Sequence, residues 1–365
     1  MLTAKTNIAY LVLEDGTVFK GFSMGKIGET IGEVVFNTCT ASYQELLSDP
    51  TYYGQIVAQT YPLVGNRGIE KEGKISNITA NGYIAREWCD TPSNIHGGLT
   101  LDEYLKSRDI VGIWGIDTRR LTRTLRDKGY FKGAITKSLE NFDNLLINIK
   151  SYSVHRAIEF VTIKETIQYK AEYPKYDVVI LDYGFSRAML PSFLKRGCNL
   201  TVVPARTEPD EILSLNPDGI IYPDGPGDPD DDLKLINNIK ILNEYKIPSL
   251  GIGVGHQMMA IASGGEIKKM PKGHRGSNQP VKICGTKKVM ITNQNHGYDV
   301  DDGSLPETDA KVWMTNVNDN SVEGLLYNRF PFITVQFIPC DIGNYSDSSW
   351  IYDEFIKLME GGRGV

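Results

Sequence analysis

The segment best suited to chemistry runs from Leu250 to Ala260 and reads LGIGVGHQMMA. A short apolar run enters a glycine-bounded turn and leaves as a helical stretch, which is the layout of a nucleophile elbow. Such a turn lifts one side chain off the carboxyl end of a sheet, with helix N-terminal amides beside it to hold an oxyanion. Acyl transfer through this turn needs Ser or Cys at its centre. The centre of Gly251-Ile252-Gly253-Val254-Gly255 is Gly253, which has nothing to attack with. The five cysteines (Cys39, Cys89, Cys198, Cys284 and Cys340) are scattered, odd in number and without a CxxC pair. Neither a disulfide framework nor a zinc site is expected, and a reducing cytoplasm is the default compartment.

The elements around the turn follow from periodicity. From Asp177 onward, strand-like runs alternate with helical ones: DVVILDYG, then SRAMLPSFLKRG; NLTVVPA, then PDEILSL; DGIIYPDGPGDP, then DDDLKLINNIKILNEYK; PSLGIGV, then GHQMMAIASGG. This alternation predicts a mostly parallel sheet covered on both faces, an α/β class of doubly wound, flavodoxin-like type, with its site at the carboxyl ends of the strands. KVMIT, AKVWMT, VEGLLYN and FITVQF predict further strands, some antiparallel. The first half has a different rhythm. AYLVLEDGTVFKGFSMG predicts a hairpin turning at Asp15-Gly16. EVVFNT and GQIVAQTY read as strands, and ASYQELLSD, LTLDEYLKSRD and GIDTRRLTRTLRDKG as helices, the last ended by Gly129. The expected organisation is an N-terminal α/β domain over 1–150, a linker over 151–175 and the doubly wound domain over 176–365.

Composition excludes several function classes. The net charge of −6 offers no basic footprint for nucleic acid, and the arginines of the GIDTRRLTRTLRDKG helix read as a solvated or interface face. No apolar run approaches the roughly 18 residues of a membrane span. The opening MLTAKTNIAYLVLEDGT lacks a secretory h-region, again predicting the cytoplasm.

These motifs occur in an order that resembles one family, the small, glutamine-amidotransferase subunit of carbamoyl-phosphate synthetase. LVLEDGTVFKG, GEVVFNT, YQELLSDPTYYGQIV, TYPLVGN and GIDTRRLTRTLRDKG resemble the N-terminal domain peculiar to that subunit. DYG, RGCNLTVVPA, DGPGDP, GIGVGHQ, GHRGSNQPV and QNHGY resemble its class I amidotransferase domain. The resemblance implies a partner, the large subunit, which binds ATP, magnesium and bicarbonate and makes carbamoyl phosphate for arginine and pyrimidine synthesis. It implies no cofactor or metal on this chain, which has no P-loop of its own. In the family the small subunit hydrolyses glutamine and channels ammonia to its partner.

The resemblance also implies which residues should do this, and here the chain departs from it. The family elbow reads G-I-C-L-G-H-Q, and Gly253 stands where its cysteine should be. The other two triad members belong to a Q-G-H-P-E-A motif that corresponds to Gln336-Phe337-Ile338-Pro339-Cys340-Asp341, so Ile338 replaces the general base and Cys340 the orienting carboxylate. Hydrolysis by this route needs a thiolate, a proton shuttle and a group to hold the shuttle, so no catalytic residue is expected. The rest of the implied glutamine pocket is Gly225 and Gly227 of the glycine loop, Val254, Gln257, Asn295, Gly297 and Tyr298, with Cys39 in place of a substrate-contacting serine. The expected role is a structural or regulatory small subunit. The alternatives are a free-standing amino-acid sensor that binds glutamine, or a glutaminase working through a relocated thiol at Cys39 or Cys340. That thiol would need a base or cation nearby, for which His256 and His296 are the candidates.

Overall fold

The computed structural model describes residues 7–38, 43–69, 79–93, 98–129, 131–339 and 347–361. They form two compact units, Met1–Val154 and His155–Val365. In the first, β1 (Ile8–Leu13), β2 (Val18–Gly25), β3 (Thr30–Asn37), β4 (Gln55–Gln59), β5 (Gly82–Ala85), β6 (Val111–Trp114) and β7 (Phe131–Thr136) close into a barrel, in the order β1-β2-β6-β5-β4-β3-β7. The Asp15-Gly16 turn joins β1 to β2 as expected, with Val12 opposite Val18. Closure comes from β7, which pairs antiparallel with both β1 and β3 and so leaves the sheet without an edge. Leu11, Val34, Ile56, Ile84, Ile113 and Ile135 pack in one core. Helix α1 (Leu101–Ser107) starts in a capping box between Thr100 and Glu103. Helix α2 (Thr118–Lys128) buries Leu121 and Leu125, ends at Gly129 and leaves its arginines exposed.

The second unit contains α3 (Ala157–Val161), β8 (Ile167–Tyr169), β9 (Tyr176–Asp182), α4 (Leu190–Leu194), β10 (Cys198–Pro204), α5 (Pro209–Ser214), β11 (Gly219–Tyr222), α6 (Leu233–Asn243), β12 (Ser249–Ile252) and α7 (Val254–Ala262). The long strands β13 (Ile267–Ile283) and β14 (Val289–Val300) follow, then β15 (Ala310–Asn316), β16 (Val322–Tyr327), β17 (Phe332–Val335) and α8 (Trp350–Met359). The ten-stranded sheet runs β8-β10-β9-β11-β12-β17-β16-β15-β13-β14. Strands β10, β9, β11, β12 and β17 are mutually parallel, which is the doubly wound, flavodoxin-type order. The remaining pairings are antiparallel.

Because β9 is covered on both faces, its consecutive apolar residues divide between two cores. Val178 and Ile180 pack with Phe193 of α4 and Phe355 of α8. Val179 and Leu181 pack with Ile239 of α6 and with Met258 and Met259 of α7. The stretch 151–175, expected as the linker, contains the boundary between the units at Val154/His155, and from there it supplies α3 and the edge strand β8 to the second unit, with Gln168 opposite Thr201. A three-residue edge strand is too short to show a period. Among the described residues no helix is long and apolar enough to cross a membrane.

Candidate functional site

Strand β12 lies between β11 and β17 and ends at Ile252; α7 begins two residues later. Gly253 fills the gap at φ 55° and ψ −118°, a positive-φ conformation that glycine adopts without steric cost. Its N–H donates to the Val335 carbonyl at 2.9 Å, and its own carbonyl accepts from Gln257 N at 3.3 Å. The backbone of an elbow is therefore present and tied to both neighbours, with no side chain at its apex.

What stands over that apex is Asp224, from the loop after β11. Its Oδ1 accepts from Gly225 N at 2.9 Å and from Val254 N at 3.1 Å, and the residue is 8% exposed. A Cβ built on Gly253 would lie 2.1 Å from that same oxygen. Two of the expected pocket residues, Gly225 and Val254, are thus brought together, with their amides converging on one internal carboxylate. Gly227 lies exposed in the same loop.

Gln257, one turn into α7, donates through Nε2 to the Tyr298 carbonyl at 2.9 Å and to Gln336 Oε1 at 2.8 Å. Tyr298 is on β14 with Asn295 and Gly297, and its ring lies 5.4 Å from Lys269 Nζ. Ile338 follows β17 and joins β14 through its N–H, which donates to the Asn293 carbonyl at 3.0 Å. Its aliphatic side chain has no group that can accept or donate a proton. Cys39 and Cys340 lie outside the described residues.

The histidines nearby are scaffold. His256 is fully buried with Nδ1 2.7 Å from Thr334 Oγ1, and burial pushes its imidazole down to about 3. Burial, followed by the charge of His274, holds His296 well below the usual imidazole range. Neither provides a cation to activate a thiol. Burial also pushes the Cys198 thiol up to about 12, which makes it inert.

The polar cluster beside these residues was not legible in the sequence. Glu323 of β16 is fully buried and accepts from Gln294 Nε2 at 2.7 Å and Asn316 Nδ2 at 2.9 Å. His274 of β13 sits 3.4 Å from Glu323 and 2.9 Å from Asp319. Burial opposes charge on His274, but hydrogen bonds to the two carboxylates and their charges outweigh it and hold the imidazolium up at about 9. One ligand atom from each of His274, His296 and Glu323 falls within 4.8 Å of the others. A protonated His274 bridging two carboxylates makes this group an ion-pair network. At the end of β9, Arg187 similarly pairs with buried Asp182 at 2.9 Å.

The parallel five-stranded core and its elbow lie within residues 179–358, which match the family described as glutamine amidotransferase class-I. Residues 11–135 match the carbamoyl-phosphate synthase small chain, CPSase domain. The chain is similar to the carbamoyl phosphate synthase small chain of Fusobacterium nucleatum, 44% identical over 96% of this chain and 98% of that one. It is 42% identical to the small chain of Clostridium perfringens, over 96% and 99%. It is also 42% identical to the pyrimidine-specific small chain of Bacillus subtilis, over 96% and 95%. The chain belongs to the carbamoyl-phosphate synthase small-chain family.

Proposed function

We propose that this chain is a small subunit without glutaminase activity, which binds a carbamoyl-phosphate synthetase large subunit and supports synthesis from free ammonia. The observation that carries the proposal is Gly253, an elbow apex with its backbone conformation intact and no nucleophile. Ile338 supports it, since an isoleucine beside the frame cannot shuttle a proton. Loss of the nucleophile or base alone costs on the order of a millionfold in a well-studied triad hydrolase. Burial lowers the basicity of His256 and His296 well below that of an ordinary imidazole, which disfavours either as the base for a relocated thiol. In this reading ATP, magnesium and bicarbonate are handled by the partner, and the chain acts in the cytoplasm without nucleic acid or membrane. The test is co-purification of the full chain with the large subunit from its own source, followed by ammonium-dependent synthesis with and without this chain. A stable complex with faster synthesis is expected. Absence of a complex would end the proposal.

A further inference from the structure

The loss at Gly253 has a counterpart in Asp224. An oxyanion cradle consists of backbone N–H donors aimed at the point where negative charge collects, and here Gly225 N and Val254 N both aim at Asp224 Oδ1, at 2.9 and 3.1 Å. The carboxylate is nearly buried, and burial of a charge is tolerable only when it is well compensated. The first amide of α7 and the positive end of its dipole contribute to that compensation. A ligand's acyl oxygen would need the same two donors.

We propose that Asp224 is a resident anion in the cradle, which keeps the vestigial pocket shut to glutamine and becomes replaceable by it only when the Asp224 side chain is truncated. The inference deepens the reading of a non-hydrolysing small subunit and rests on it for the identity of the ligand. It also interlocks the two positions. A nucleophile returned to residue 253 would place its Cβ 2.1 Å from the Asp224 oxygen, far inside van der Waals contact. A side chain at 253 therefore forces Asp224 to shift or be replaced.

The test is calorimetric titration of L-glutamine into the full chain, as wild type and as Asp224→Ala, with Asp224→Ser as the second variant if the first does not fold. The expected result is at least tenfold tighter binding by the truncated variant, since two donors become available to the ligand. Equal affinities overturn the proposal, and so does the absence of binding in both proteins. A second measurement is the melting temperature of Gly253→Ala in the wild-type and Asp224→Ala backgrounds. The drop should be smaller when Asp224 is truncated, and equal drops would contradict the crowding. Neither measurement reads carbamoyl phosphate. A negative result would leave the small-subunit role standing, and failure of ammonium-dependent synthesis would leave the titration unaffected.

Discussion

The elbow at Gly253 and the polar cluster around Glu323 belong to the same unit and contrast in what each retains. At the elbow the backbone is intact, with Gly253 hydrogen-bonded to Val335 and Gln257, while the side chain is absent. In the cluster the side chains carry the structure: Glu323, Gln294, Asn316, His274 and Asp319 are joined by hydrogen bonds and ion pairs through the sheet. At the elbow, glycine adopts the positive φ without strain. Loss of a residue from the cluster would strand several buried groups at once. A glycine thus fits the apex of this turn without strain, whereas removal of a member of the buried ion-pair network leaves charged groups unpaired.

Breaking the cluster should give the largest effect. Glu323→Ala removes the acceptor for two amide donors and a counter-charge of His274, and should cost about 3–5 kcal/mol by urea denaturation. A loss below 1 kcal/mol would mean that the cluster is not structural. The pH dependence comes next. Because the folded-state value of His274 is raised from 6.5 to about 9, its contribution is fully present below 6.5 and is lost as pH rises through 9. The wild-type chain should lose on the order of 3 kcal/mol across that window, and His274→Gln should flatten the slope. Equal slopes in the two proteins would remove the ion-pair assignment.

The elbow side of the comparison is sharpened by Gly253→Ala, which combines a positive-φ penalty with crowding against Asp224 and should cost about 2 kcal/mol. A neutral substitution would show that the turn is not held as described. Smallest is Thr100→Ala at the capping box of α1, about 1 kcal/mol, which sets the scale for a single lost cap in the barrel unit.

The parallel core was legible in the sequence because each buried strand is a short apolar run followed by a helix with clear spacing, as in DVVILDYG and LGIGV. Closure of the barrel was not legible, since it depends on pairing Leu11 with Ile135 across nearly the whole unit, a contact that periodicity does not encode. The empty apex at Gly253 could be read directly, because a turn motif fixes it locally. Asp224 stood in plain view beside the glycine loop, yet its role arises from an approach to Val254 across thirty residues of chain. The network on β13–β16 was hidden for a similar reason. Its members are separated in sequence and look like ordinary polar residues until the antiparallel register brings His274 opposite His296.

The proposed role rests on an elbow with its backbone in place and no nucleophile at its apex. The most direct measurement is carbamoyl phosphate and glutamate formation by the chain reconstituted with its large subunit, with glutamine or ammonium chloride as the sole nitrogen source. Synthesis from ammonium is expected, and with glutamine neither product above the large subunit alone. Glutamine-supported synthesis with matching glutamate release would contradict it and would require a nucleophile other than residue 253.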